Sequence, residues 1–274
     1  MNENTNLDDI LQQVYERNNE ESQIDIIDEA LTDAIEYNAK TVRFSGADWY
    51  NKVCGLSVFV GGAGGICSNL IYLLARLNLS SITVQDPDIV SVENMAGQLY
   101  HADSIGIPKV SAISKLVQSL CSYYRIYSIP KLIDDDTVLK CNVVLCGFDN
   151  MEARKCTYYK WKKNLAKYDI KDRDNSLFID GRLTLDELQV FCITGNDTYH
   201  QKIYEEEYLF SSNEAEATSC STKQTAYTAF MIASIMTNLL VNFVSNMDED
   251  DVLEKALPFK TYYNSNTLMF KCYG

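Results

Sequence analysis

The stretch VFVGGAGGICSNLIYLLARLNLSSITVQD, residues 58–86, constrains the fold more tightly than any other part of the chain. An apolar run of strand character meets a cluster of glycines, the glycines lead into a helix read from Asn69 to Leu77, and the helix leads into a second strand. Two strands joined by a helical crossover of this length become parallel neighbours, and the crossover is right-handed because of the twist of the strands. A second unit of the same kind follows: a helix predicted from Pro108 to Ser122 runs toward the apolar strand CNVVLCGFD, residues 141–149. This alternation predicts an α/β fold with a Rossmann-like, mainly parallel sheet flanked by helices.

The remaining segments are read against that core. MEARKCTYYKWKKNLAKYD, residues 151–169, has helical character, and SLFIDGRL and LQVFCIT, residues 176–183 and 188–194, read as two further strands. The segment from Gly195 to Ser219 has little periodicity and is rich in Glu, Ser and Tyr, so it is expected to be a long functional or mobile loop. From about Gln224 to Ser245 an apolar face of Ala229, Ile232, Ala233, Met236, Leu239, Leu240 and Phe243 predicts a long helix covering the sheet. The tail FKTYYNSNTLMFKCY, residues 259–273, predicts a C-terminal β-hairpin turning at 264–266. Ahead of the core, Leu7, Ile10, Leu11 and Val14, then Ile27, Ala30, Leu31, Ala34 and Ile35, recur at spacings of three and four. The chain is therefore divided into an acidic helical N-terminal extension, 1–45, and a nucleotide-binding domain, 46–274.

Composition removes several function classes. Against 24 basic residues stand 38 acidic ones, a net charge of −14, which disfavours nonspecific binding to nucleic acid or anionic lipid. The 9 cysteines include no Cys-x-x-Cys pair, so neither a zinc ribbon nor a disulfide framework is written here and no structural zinc is expected. With 2 histidines, His101 and His200, there is little material for a His-dependent triad. The opening MNENTNLDD is neither a signal nor a transit peptide, which places the expected location in the cytoplasm.

A glycine loop between strand and helix suits a phosphate, because glycines let backbone amides approach and the helix N-terminus carries positive partial charge. Gly62-x-Gly64-x-x-Cys67 is a weak signal alone, with a structural turn as the alternative. Asp86 and Asp88, about twenty residues on at the end of the second strand, stand where an acidic residue accepts hydrogen bonds from a ribose. The wider pattern comprises GGAGGICS at 61–68, DPDIV at 86–90, VENMAGQLY at 92–100, IGIPK at 105–109 and CGFDN at 146–150. In order and spacing it resembles the ThiF/MoeB/HesA superfamily of ubiquitin-like-protein activating enzymes, over roughly residues 56–245.

The resemblance implies ATP and Mg²⁺, an enzyme that joins AMP to the C-terminal carboxylate of a ubiquitin-like protein or peptide, and a homodimer. Carried over by position, Gly62, Gly64 and Gly65 line the phosphates and Asp86 holds the ribose, with Asp88 beside it. Asn94 and Gln98 face the triphosphate, Lys109 reaches the phosphates, and Asp149 helps to place Mg²⁺ and the reacting carboxylate. Each has a plain alternative: Lys109 as a solvated lysine in a first helical turn, Asp149 as part of a turn, Asp88 as an exposed loop acid. Cys220, before the last helix, matches the place of a thioester-forming cysteine or is simply structural.

Two departures qualify the match. Cys67 occupies the third glycine position, where residue size governs how closely helix and strand pack. Gly97 occupies the place of the family's γ-phosphate arginine, so a fixed cation is missing; Arg43, upstream of the first strand, stands where the resemblance implies an arginine donated across a dimer interface or is a surface residue of a linker, with Arg154 and Arg182 as weaker substitutes. Three readings follow: an adenylyltransferase, a degenerate nucleotide-binding scaffold without efficient turnover, and, least favoured, an NAD-dependent oxidoreductase.

Overall fold

A computed structural model describes residues 40–167, 169, 173–210, 225–247 and 254–274. The chain divides into two compact units, Met1–Ser45 and Gly46–Gly274. The two N-terminal helices expected before residue 36, and Cys220, lie outside the described residues.

The larger unit is built on one sheet of eight strands: β1 (Ser57–Gly61), β2 (Ser81–Gln85), β3 (Ile126–Ile129), β4 (Val143–Cys146), β5 (Leu177–Leu183), β6 (Glu187–Thr194), β7 (Lys260–Asn264) and β8 (Met269–Tyr273). Their spatial order is β3-β2-β1-β4-β5-β6-β7-β8. The first five are mutually parallel, and β5 through β8 run antiparallel, each to the next. After β1 the chain builds outward through β2 and β3, then returns to lay β4 on the other side of β1. The order of building reverses between β1 and β4, and the crevice beyond the C-terminal ends of those strands is where open α/β sheets bind ligands.

Alternate residues of each strand serve opposite faces. Val58, Val60, Val143, Leu145, Leu177 and Ile179 pack beneath α2 (Gly65–Leu77), α3 (Lys109–Cys121) and α6 (Ala226–Ser245). Phe59, Val144, Cys146, Phe178 and Phe191 pack on the other face against α4 (Met151–Leu165) and the Tyr204 turn. A short α1 (Tyr50–Gly55) precedes β1. By length and composition α6 resembles a membrane span, yet Ala229, Ile232, Ala233, Met236 and Leu240 have no exposure and Ser234 and Asn238 point outward. It is a core helix, packed against α2 and over β5 and β6.

Three features differ from the sequence expectation. The first helix begins at Gly65, directly in the glycine loop, because Gly64 serves as its N-cap in an extended conformation. An additional strand, β3, lies at the sheet edge and has only the four residues Ile126–Ile129. Part of the expected loop after Gly195 is helical: the Asp197 side chain accepts the His200 amide and caps α5 (Thr198–Ile203), which continues as a wider turn through Tyr208. Tyr204 on that turn is fully buried, so burial rather than local periodicity fixes the segment.

Candidate functional site

The loops that follow β1, β2 and β4 converge on the crevice. Gly62 adopts φ +100°, a conformation that side chains disfavour, and its amide donates to the Gln85 carbonyl at 2.9 Å. At Gly64 an added Cβ would meet nothing within 4 Å, so the loop opens there onto free space. In the first turn of α2 the first intrahelical acceptor is Gly64 O, which takes the Ser68 amide at 2.8 Å. The amides of Gly64, Gly65 and Ile66 donate to no acceptor among the described residues. Converging orphan amides at a helix N-terminus form a site for an anion.

Asp86 holds this loop in shape. One of its carboxylate oxygens accepts the Ala63 amide at 2.7 Å and the other accepts the Asp88 amide at 2.8 Å. Burial raises the Asp86 carboxyl above its ordinary value against these two hydrogen bonds, which favour the ionised form. A carboxylate has about four lone-pair positions, so each oxygen keeps capacity for a ligand hydroxyl.

Lys109, the first residue of α3, is buried along its stem and places its ammonium 2.8 Å from Asp88 Oδ2, whose carboxylate is largely exposed. The pairing is built by backbone register: the Lys109 amide donates to Asp88 O at 2.8 Å and the Val90 amide to Ile107 O at 2.9 Å. The segments DPDIV and IGIPK are thus two edges of one small closure.

The intervening stretch docks on α2. Leu99 donates its amide to Ser68 Oγ at 2.9 Å, and the Tyr100 hydroxyl donates to Ala63 O. Asn94 sits in the 3-10 turn Val92–Ala96 with Oδ1 accepting the Ser91 amide, so half of its side chain serves as a cap. Gln98 Oε1 and Asn69 Oδ1 are buried without a partner among the described residues. Ser68, Asn69 and Tyr100 escaped the sequence reading. The available signal was polar residues at 68 and 69 on a turn that otherwise faces the core.

After β4, Asp149 is exposed, and its Oδ1 meets only the Asn150 side-chain nitrogen Nδ2, at 3.5 Å. Asn150 caps α4 by accepting the Ala153 amide at 2.9 Å. No group of three or more His, Cys, Asp or Glu able to cage a metal occurs among the described residues. A single exposed carboxylate nonetheless suits Mg²⁺, which keeps most of its ligands as water and substrate phosphate. Gly97 is buried, closing the 3-10 turn. Arg43 is exposed in a turn of the N-terminal unit. Arg154 is turned inward and donates to Phe148 O and Gly181 O as well as to Asp180.

At the third glycine position Cys67 is fully buried with Sγ 3.5 Å from Gly61 O. Directly opposite is Gly147, where an added Cβ would lie 2.6 Å from that sulfur. Burial pushes the Cys67 thiol well above its ordinary pKa, so it is a packing residue with little nucleophilic character. Cys146 and Cys192 are pushed up to about 12 by burial as well.

With this geometry in place, residues 37–272 match the family model described as ThiF family. Among curated proteins the chain is 26% identical over 114 residues to the SAMP-activating enzyme E1 of Haloferax volcanii, covering 40% of this chain and 42% of that protein. It is 26% identical over 120 residues to the molybdopterin-synthase adenylyltransferase of Haemophilus influenzae, covering 42% of this chain and 48% of the other. These matches therefore span less than half the length of either relative. Among solved structures, PaaA superposes with a TM-score of 0.64 at 15% identity, covering 99% of this chain and 82% of PaaA. E. coli MccB with ATP superposes with a TM-score of 0.59 at 16% identity, covering 87% and 71%. At such identities the structural likeness is one of fold.

Proposed function

Since the chain belongs to the ThiF family, we propose that it is an ATP-dependent adenylyltransferase acting on the C-terminal carboxylate of a ubiquitin-like protein or peptide. The supporting observation is the set of free amides of Gly64, Gly65 and Ile66 at the start of α2, flanked by Asp86 and by the Lys109–Asp88 pair. The amides take a phosphate of ATP, Asp86 accepts from the ribose, and Lys109 supplies a fixed cation beside the phosphates. Asp149 would hold Mg²⁺, which supplies further positive charge to the phosphates when bound. An oxygen of the acceptor carboxylate attacks the α-phosphorus, the acyl-adenylate bond forms, and the bond to pyrophosphate breaks. Charge builds on the leaving pyrophosphate, which is why the cations matter to rate. The curated relatives carry adenylyltransferase or activating-enzyme names, and MccB has been solved with MccA, which favours a protein or peptide acceptor here.

The missing cation at Gly97 supports a second reading, a nucleotide-binding scaffold with little turnover, because one lost transition-state contact of this kind costs about 10²–10³ in rate. Arg43 from the N-terminal unit, donated within a homodimer, is the substitute in the active reading. We place the protein in the cytoplasm, and a thioester on Cys220 belongs to the same proposal. Calorimetric titration with ATP and Mg²⁺, beside Lys109→Ala and Asp86→Ala, tests the site. Micromolar binding lost in both variants supports it, and no binding by the unaltered protein refutes it. Pyrophosphate exchange into ATP then separates the enzyme from the scaffold.

A further inference from the structure

Beside the crevice, on the α4 face of the sheet, lies a cluster of charges that the adenylation reading leaves without a role. Asp180, with no exposure, accepts from Arg154 Nη1, from Arg182 Nε at 2.7 Å and from the Tyr204 hydroxyl at 2.9 Å. Two guanidiniums on one buried carboxylate leave one positive charge in excess. The donors of Arg154 also bind the carbonyls of Gly181 and Phe148. Arg182 is different: Nη2 lies 3.3 Å from the Tyr204 hydroxyl, while Nη1 has no hydrogen-bond partner among the described residues.

A second cation stands next to it. Lys260 on β7 lies 4.9 Å from the Tyr208 ring centroid and 5.6 Å from that of Phe191, and Arg182 lies 4.8 Å from Phe191. The Lys260 ammonium has no hydrogen bond or ion pair among the described residues. Burial lowers its pKa, and the Arg182 charge adds to that effect against the pull of Tyr273, Glu187 and Glu207. Glu187 is engaged elsewhere, with Oε1 accepting from Tyr262 at 2.6 Å and Asn264 at 3.1 Å. In a chain with 38 acidic residues against 24 basic ones, two neighbouring cations without a carboxylate between them do not reflect a shortage of acids. An open guanidinium edge beside a half-buried ammonium that has no carboxylate partner marks a ligand site.

We propose, building on the adenylation reading, that Arg182 and Lys260 form a subsite for an acidic side chain of the acceptor, about two to four residues before its reacting carboxylate. Strand register sets the spacing. Cys146, Asp180, Phe191 and Lys260 are cross-strand partners in one row, and Arg182 lies two residues farther along β5, beyond the end of β4. At about 4.8 Å per strand, the subsite spans from about 5 Å to about 14 Å across the sheet from β4, and an extended peptide rises about 3.3 Å per residue. A planar carboxylate matches the free edge of a guanidinium, with the ammonium as second donor, and the rings of Phe191, Tyr204 and Tyr208 wall the site.

The test is selection of a random decapeptide library displayed with free C-termini, on the unaltered protein and on Lys260→Gln, with Mg²⁺ and ATP present. Lys260→Gln leaves the Asp180 cluster intact. Asp and Glu are expected to be enriched at least about fivefold at a position two to four residues before the C-terminus, and the enrichment should disappear in the variant. Absence of that preference, or its persistence in Lys260→Gln, overturns the subsite. An ATP titration of the same preparations separates the two ideas: ATP binding without acidic preference rejects the subsite alone, and acidic preference without ATP binding supports the subsite while rejecting adenylation.

Discussion

The parallel and antiparallel halves of the sheet treat charge in opposite ways. At the ends of β1 and β2 the side-chain charges are engaged within the protein: Asp86 with two backbone amides and Lys109 with Asp88. What remains open there is backbone, the amides of Gly64, Gly65 and Ile66. Across β5 to β7 the backbone is consumed in the ladder, and side-chain donors on Arg182 and Lys260 remain open. Donors that belong to the backbone come with the fold and suit an invariant ligand such as a phosphate. Donors on side chains can be exchanged one at a time without disturbing the ladder, so this half is suited to selecting among acceptors.

The largest effect expected from breaking this contrast comes from Asp180. Asp180→Asn leaves two guanidiniums without their buried counter-charge, and removal of one partner of a buried ion pair costs about 3–5 kcal/mol. Urea denaturation should show a loss of that size, and a loss below about 1 kcal/mol would mean that the cluster is not a buried electrostatic unit. Next, Asp86→Ala should weaken ATP about 10²-fold, or about 2.7 kcal/mol, while Lys260→Gln changes ATP affinity less than about twofold. Equal losses in the two variants, read by calorimetry, would erase the division of labour between the halves.

A smaller effect tests the loop itself. Gly147→Ala pushes a methyl group onto the Cys67 sulfur, at a cost of about 1–3 kcal/mol for overpacking. Combining it with Cys67→Gly should recover at least about half of that loss, a non-additivity that a double-mutant cycle measures. Strictly additive losses would show that the two residues do not share one volume.

The smallest effect is a pH dependence. The Asp86 carboxyl is raised above its ordinary value of 3.8 by burial, so the native state keeps this proton to higher pH than the unfolded chain does. Between 3.8 and the raised value the folded form binds more protons, and stability attributable to Asp86 falls as pH rises. Asp86→Asn should remove that slope from urea midpoints measured across the acidic range. An unchanged slope would assign it to other carboxyls.

The parallel core was readable because each βαβ unit carries its own local signals: an apolar run, a glycine turn, a helical period. Asn78 at φ +63° ends α2 and Asn150 caps α4, both ordinary boundary residues for their positions. The edge strand β3 was not readable, since four residues between Arg125 and Pro130 show too little alternation. The helical stretch at 198–208 was missed because its tyrosines and glutamates share no single face, and its stability depends on Tyr204 packing on Phe178 and Phe191. Of the site, the residues contributed by motifs could be numbered from sequence, but their engagement could not. That Asp86 supports its own loop, and that Asp180 joins Arg154 to Arg182, depends on pairs separated by two dozen residues or brought together only by strand register.

The contact between Cys67 and Gly147 has a consequence for how such loops are compared. The space usually reserved beneath the loop by a third glycine is here reserved from the opposite wall, so the missing side chain has in effect changed sides. A pattern written as letters in a row counts this loop as damaged. A pattern written as vacant volume, shared between two segments eighty residues apart (67 and 147), counts it as whole, and chains that keep the vacancy while trading which side supplies it belong in one class.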